Sequence, residues 1–140
     1  PRGRVAAPMP MVEVKSDGAF REAVAGGGVV VADFKAVWCG PCKALYPRLE
    51  ALAAKRPDVR FVVADLDTVP KLFKQQGVVG YPTIKFFANG ELVDEVEGAD
   101  MGAIERALDA ADAACGGSSG GGGGAGAGAG GDGAAMGGGR

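Results

Sequence analysis

The central part of this chain alternates between two kinds of hydrophobic pattern, and this alternation limits the folds that it can adopt. Residues 29–34 and 61–66 are apolar almost without interruption, which is typical of strands covered on both faces of a sheet. Between and after them, apolar residues recur at the spacing of amphipathic helices. Alternating strands and helices predict an α/β protein whose sheet is at least partly parallel.

Further signals complete the predicted domain. Residues 83–87 and 92–96 flank Asn89-Gly90, a dipeptide that favours positive φ at both central positions of a hairpin turn. A weaker first strand is predicted at 12–15. Four helices are also predicted: one capped by Asp17 and ending near Ala25, one through Leu45, Leu49 and Leu52, one from Thr68 or Pro70 to Gln75–Gln76, and one through Ala103, Ile104, Ala107, Leu108 and Ala111. We expect an α/β sandwich, with a mixed sheet of about five strands and about four helices on its two faces.

Composition divides the chain into three zones. Residues 1–10 contain two arginines, three prolines and no hydrophobic periodicity, so we expect a disordered leader, with a truncated organelle transit peptide as the alternative. Residues 11–115 form the predicted domain. Residues 116–140 hold 15 of the 26 glycines, and a tail with so little to bury is expected to stay disordered. Cys115, at this boundary, is expected to be an inert thiol rather than a regulatory one or an intermolecular disulfide partner.

Several classes of protein are excluded by composition. The chain has no histidine, which removes the Ser-His-Asp triad, the Cys-His pair and imidazole metal ligands. Three cysteines are too few for a four-cysteine zinc site. A net charge of −2 gives no basic surface for nucleic acid, and no apolar run reaches the ~18 residues of a membrane span. We therefore expect no metal, no nucleic acid and no membrane among the partners.

The chemistry concentrates where the strand at 29–34 gives way to a helix. Cys39 and Cys42 lie three positions apart, which places both sulfurs on one face of a first helical turn, close enough to form a disulfide. Free N–H groups and the helix dipole at a helix N-terminus stabilise a thiolate, and Cys39 meets these amides first. Pro41 fits the same turn because it lacks an N–H.

This arrangement predicts dithiol–disulfide exchange. The Cys39 thiolate attacks a substrate disulfide, and Cys42 then attacks the Cys39 sulfur and releases the reduced substrate. Asp33, a lone carboxyl in an apolar strand, is the candidate proton acceptor for Cys42, since burial would raise its pKa toward the working pH. An outside reductant must restore the dithiol. The alternative for the cysteine pair is half of a zinc site, for which the sequence offers no second ligand cluster. The alternative for Asp33 is a buried acid with a purely structural role.

The segment 29–42, VVVADFKAVWCGPC, closely resembles the active-site segment of the thioredoxin family. The resemblance covers about residues 11–114 and recurs at separated motifs in the expected order: Lys43, Pro47, Gly80-Tyr81-Pro82-Thr83, Asn89-Gly90 and Gly98-Ala99. It implies the thioredoxin fold for the domain.

The resemblance also implies roles for individual residues. Cys39 would be the exposed nucleophile, Cys42 the resolving cysteine, and Asp33 the buried acid that deprotonates Cys42. Gly40 and Pro41 would tune the redox potential toward reduction. A shallow apolar groove would receive the substrate and pair with its backbone at Tyr81; its members are Trp38, Tyr81, a cis Pro82 and the loop around Gly98.

The function implied by the resemblance is reduction of protein disulfides by a monomer. Such a protein needs no cofactor beyond its own cysteine pair, which a flavin-dependent thioredoxin reductase would reduce. We expect a cytoplasmic location, where reducing catalysts belong. One alternative is a thioredoxin-like binding or targeting module of a larger multidomain protein, with the glycine tract as a linker. A disulfide oxidase or isomerase is disfavoured, because family isomerases usually carry histidine between the cysteines.

Three residues depart from the usual family pattern. We expect the Lys35 side chain to point to solvent, the alternative being that it approaches Cys39 and favours the thiolate. Val37 is apolar at a position that is often polar, which would alter partner choice. Asp65 would bring a second carboxyl near Asp33 and raise the pKa of Asp33.

Overall fold

Nine elements follow one another along residues 11–116, the part of the chain that the computed structural model describes. They are β1 (Val12–Glu13), α1 (Asp17–Ala25), β2 (Val29–Lys35), α2 (Gly40–Lys55), β3 (Arg60–Asp65), α3 (Pro70–Gln75), β4 (Thr83–Ala88), β5 (Glu91–Glu97) and α4 (Met101–Ala114). This order confirms the predicted α/β class and its succession of strands and helices. The predicted disordered leader, and the predicted disordered tail beyond residue 116, lie outside the described residues.

The five strands form one mixed sheet in the order β1-β3-β2-β4-β5. The central strand, β2, pairs in parallel with β3 and antiparallel with β4, and β4 and β5 form the predicted hairpin. Asn89 and Gly90 at its turn have φ of 52° and 90°, as the dipeptide predicts. The first strand is shorter than predicted, because Val12 and Glu13 alone pair with β3 in the ladder.

The start of α1 corrects one prediction. Ser16, not Asp17, is the N-cap: its backbone is extended, with φ −156°, and its hydroxyl accepts a hydrogen bond from the Ala19 amide at 3.0 Å. A serine oxygen in this position satisfies an amide that the helix itself leaves free. Asp17 is instead the first helical residue, where its charge still favours the positive end of the helix dipole.

Side chains of β2 alternate between the two faces of the sheet, and this alternation positions the site. Val29 and Val31 join the core under α2 and α4, whereas Val30, Ala32 and Phe34 join the core under α1 and α3. Because strand side chains repeat every two residues, Asp33 and Lys35 fall on the α2–α4 side. A carboxyl and an ammonium group are thereby placed beneath the helix that carries the cysteines.

Candidate active site

Cys39 and Cys42 lie where the chain passes from β2 into α2. They form a disulfide with a Cα–Cα distance of 5.3 Å. Cys39 is the N-cap of the helix, and its sulfur accepts a hydrogen bond from the Cys42 amide at 3.2 Å. Pro41 lies in the first turn, where no N–H is required of it. The junction has the geometry that the sequence predicts, with one sulfur positioned to be stabilised as an anion by a free helix amide.

Both cysteines are buried in this disulfide form. The relative exposure is 5 % for Cys39 and 1 % for Cys42, and the pair packs with Ala36 against Leu66 and Tyr81. The resemblance implied an exposed Cys39, so the structure corrects that expectation for the oxidised chain. The neighbouring Trp38 is 64 % exposed, so an exposed aromatic side chain lies next to the cysteine pair in the sequence.

Asp33 places its carboxyl in the interior of the fold, on the central strand. The residue is 1 % exposed, and neither carboxyl oxygen has a hydrogen-bond partner within the described part of the chain. Burial raises the pKa of Asp33 from 3.8 to about 7, and the positive charge of Lys35 opposes that increase. A carboxyl with such a pKa exchanges protons near neutrality, which suits a general base.

Lys35 and Asp65 form an ion pair with an Nζ–Oδ2 distance of 3.2 Å, and this pair corrects two predictions. The Lys35 side chain does not extend freely into solvent, because its ammonium group is held across the strand pair by Asp65. The charge of Asp65 is not among the causes that raise the pKa of Asp33. Its carboxylate is compensated by Lys35 and by a hydrogen bond from the Asp67 amide at 2.9 Å.

Among the predicted groove residues, Tyr81 packs against the cysteine pair, and contacts connect the others to it. The Tyr81–Pro82 bond is cis, and the rings of Trp38 and Tyr81 meet edge to face with centroids 5.4 Å apart. Gly98 has a φ of 108°, which favours glycine, and its N–H donates to the Pro82 carbonyl at 2.8 Å. These contacts bring residues from three separate segments to one surface.

Two residues next to Tyr81 had no role assigned to them from the sequence. Val79 is 85 % exposed and lies two residues before Tyr81 in the sequence. Gly80 is covered by the Glu97 carboxylate, in space that a Cβ atom would occupy. Exposure of an isolated valine carries no sequence signal, whereas Gly80 was named as part of the Gly-Tyr-Pro-Thr motif without a role of its own.

The remaining site predictions concern a thiol, metals and membranes. Cys115 ends α4, half-buried, with its sulfur 3.7 Å from the Asn89 side-chain oxygen; its inertness stays a prediction. Residues 11–116 bring together no group of three or more His, Cys, Asp or Glu side chains suited to hold a metal ion. Over the same residues, no helix combines the length and apolar character needed to cross a membrane.

Comparisons with known proteins agree with this geometry. The family model described as Thioredoxin matches residues 11–110. The chain is 43 % identical to the thioredoxin of Chlamydia muridarum over 63 % of its own length and 85 % of that protein. It is 38 % identical to the mitochondrial thioredoxin-3 of Saccharomyces cerevisiae over 64 % of its own length and 70 % of that protein.

Solved structures give the same result. The oxidised form of mitochondrial thioredoxin 3 from Saccharomyces cerevisiae superposes with a TM-score of 0.68 at 34 % identity, covering 71 % of this chain and 93 % of that one. Thioredoxin from Trypanosoma brucei brucei gives a TM-score of 0.70 at 33 % identity, covering 76 % and 95 %. The five-stranded mixed sheet and four helices of residues 11–116 thus have close counterparts.

Proposed function

The chain belongs to the thioredoxin family and is a thiol-disulfide oxidoreductase, and from this premise we propose that it reduces protein disulfides through Cys39 and Cys42, with Asp33 as proton acceptor. As in its family, the redox centre is its own dithiol–disulfide, without a further cofactor, and its general partners are disulfide substrates and thioredoxin reductase. One observation supports the residue assignment most strongly: the Cys39–Cys42 disulfide lies at the N-terminus of α2, where the Cys42 amide donates a hydrogen bond to the Cys39 sulfur.

The first step is attack by Cys39. After reduction of the pair, the Cys39 thiolate displaces one sulfur of the substrate disulfide and forms a mixed disulfide with the other. The displaced sulfur leaves with the bonding electron pair and takes a proton from water. The Cys42 amide, 3.2 Å from the Cys39 sulfur, supports the anion before attack.

The second step is attack by Cys42 on the Cys39 sulfur. The Cys42 proton passes to the Asp33 carboxylate, and the resulting thiolate forms the Cys39–Cys42 bond while the Cys39–substrate bond breaks. The substrate sulfur leaves with that electron pair. The substrate has then gained two electrons, the cysteine pair has lost two, and a flavin-dependent thioredoxin reductase returns them.

The groove residues bind the substrate around the reacting sulfurs. Trp38 and Tyr81 offer apolar surface, and the backbone of Tyr81 pairs with an extended substrate segment beside Pro82 and Gly98. Gly40, at the start of α2, leaves space on the side of the disulfide, because a Cβ there would meet no atom within 4 Å. Gly40 and Pro41 together set the potential in the reducing range.

The proposed state and location follow from the same chemistry. A monomer is supported by the covering of both sheet faces with helices of the same chain. A reducing catalyst requires a reducing compartment, so we place the protein in the cytoplasm. One relative is a mitochondrial thioredoxin, which makes that organelle the other location to examine by cell fractionation.

Insulin-disulfide reduction in the presence of thioredoxin reductase tests the assignment. We expect Cys39→Ser and Cys42→Ser each to abolish turnover, and the matched control Cys115→Ser to retain it. Cys42→Ser should also trap substrates as mixed disulfides that dithiothreitol releases. Turnover by Cys39→Ser would refute the proposal, and partners that bind independently of both cysteines would favour the binding-module alternative.

A further inference from the structure

The ion pair of Lys35 and Asp65 lies on the same face of the sheet as Asp33. Asp33 is opposite Val63 on β3, and Lys35, two residues later, is opposite Asp65. Because side chains two residues apart share a face, Lys35 projects from the same face of β2 as the Asp33 carboxyl. Both members of the ion pair line a cleft of about 720 Å³ that Cys42 also lines. The resolving cysteine and the ion pair therefore border one space.

The ammonium group of Lys35 is held in place there. Its Nζ donates a hydrogen bond to Oδ2 of Asp65 at 3.2 Å, and the side chains of Lys35 and Asp65 are 24 % and 10 % exposed. The other oxygen of Asp65 accepts the Asp67 amide at 2.9 Å, which fixes the carboxylate in turn. A surface lysine would spend most of its time in water, whereas this one keeps its charge close to the cleft.

The elements packed around Asp33 offer few other charges. Its neighbours in register on β3 and β4, Val63 and Ile84, are apolar. The titratable groups on this side come from α2 and β1: Cys42, Lys43, Tyr46, Glu50 and Glu13. α4 adds the apolar Ile104 and Leu108 to the core here. Among the charges in the described part of the chain, that of Lys35 is the one that acts against burial on the pKa of Asp33.

We propose that Lys35 is a positioning residue for the resolving step. Its ammonium group, held by Asp65, provides a fixed positive charge that increases the ionised fraction of Asp33 near neutral pH. The ionised carboxyl is the form that accepts the Cys42 proton. The inference rests on the proposed function, in which Asp33 is that base. In the step itself, the proton moves from the Cys42 sulfur to a carboxylate oxygen of Asp33. The Cys42 sulfur bonds to that of Cys39, and the substrate sulfur departs with the electrons of the broken bond.

The charge acts at two points in the cycle. Before the step it favours the ionised carboxyl, and after product release it favours loss of the proton that Asp33 has gained. Replacing Lys35 with methionine keeps an unbranched side chain that is one atom shorter, and it removes both effects. With the two side chains on adjacent same-face positions, we expect the Asp33 titration midpoint to rise by about 1 pH unit. The rate of the resolving step at neutral pH should fall about fivefold, in proportion to the ionised fraction.

The test measures Asp33 directly and then the reaction. In the oxidised protein, where the cysteine pair does not titrate, ¹³C NMR follows the side-chain carboxyl of Asp33 with pH. The variants are Lys35→Met, the charge-conserving Lys35→Arg, and Lys71→Met, which removes the same charge from an exposed position on α3, across the sheet. We expect a higher midpoint in Lys35→Met alone, and a matching shift in the pH profile of insulin reduction.

A second variant keeps the test valid if Lys35→Met fails to fold because Asp65 loses its partner. The double variant Lys35→Met with Asp65→Asn removes both charges and keeps an acceptor for the Asp67 amide. Loss of the Lys35 charge should again raise the midpoint. An Asp33 midpoint equal to that of the Lys71→Met control would overturn the inference and leave Asp33 as the base. By contrast, an Asp33→Asn variant with the wild-type pH profile would overturn the base in the proposed function, and the role of Lys35 with it.

Discussion

The buried carboxyl of Asp33 makes the folded protein less stable as pH rises, and Asp33→Asn removes that dependence. Burial raises the pKa of Asp33 from 3.8 to about 7 in the folded chain, whereas the unfolded chain keeps the ordinary value. Between these values the folded state holds a proton that the unfolded state has released, so the free energy of unfolding falls as pH rises. The full stability is present below the unfolded-state pKa, and the loss is complete above the folded-state pKa.

The magnitude follows from the difference between the two pKa values. A change from 3.8 to about 7 corresponds to about 4 kcal/mol, at about 1.4 kcal/mol for each pKa unit. Screening by solvent reduces this little, because Asp33 is 1 % exposed. About 3 kcal/mol of this decrease in the free energy of unfolding occurs between about pH 5 and about pH 8, the range chosen for the measurement.

Urea unfolding of the oxidised wild type and Asp33→Asn across this pH range measures the effect, with the fluorescence of the single tryptophan, Trp38, as the signal. The two proteins share all other titratable groups, so the difference between their unfolding free energies isolates Asp33. We expect Asp33→Asn to gain about 3 kcal/mol relative to wild type between the lowest and the highest pH. Stability curves that run parallel over the range would refute a protonated, buried Asp33.

Two further substitutions test the groove and the fold separately. Trp38→Ala removes an indole that is 64 % exposed beside the disulfide. If a protein substrate covers this ring, kcat/KM for insulin should fall about tenfold, since an aromatic side chain buried on binding carries a large share of the contact energy, while the urea midpoint stays. An equal loss with the small disulfide cystine as substrate would contradict a groove role. Asp100→Ala removes the acceptor of the Ala103 amide, 3.1 Å away at the start of α4, and should cost about 1 kcal/mol of unfolding free energy. The control Asp109→Ala, exposed within the same helix, should leave stability unchanged; equal effects of the two would contradict the cap.

The strand-to-helix junction could be predicted because its signals are local. An apolar run ends, a cysteine follows at the N-cap, and Pro41 occupies a turn that needs no N–H. The hairpin is similar, since Asn89-Gly90 alone favours the positive φ values of its turn. The burial of Asp33 was equally predictable, because a single acid in an apolar strand has no exposed face to occupy.

The charges around Asp33 were not predictable, because they depend on pairing between distant strands. Only the register of β2 with β3 places Lys35 opposite Asp65, and a shift by one residue would have moved these side chains to the other face. The sequence therefore suggested a free lysine and a second acid acting on Asp33, where the structure has an ion pair. The N-cap at Ser16 was missed for a smaller reason, since Asp17 is as good a cap by residue type.

The reactivity of Cys39 in the reduced protein tests the central claim most directly. Iodoacetamide alkylation near neutral pH, read at each cysteine by mass spectrometry, compares Cys39 with Cys115, a thiol at the far end of α4. Stabilisation of its thiolate at the helix N-terminus predicts that Cys39 reacts roughly tenfold faster. Equal rates at the two positions would contradict the claim that α2 activates the nucleophile.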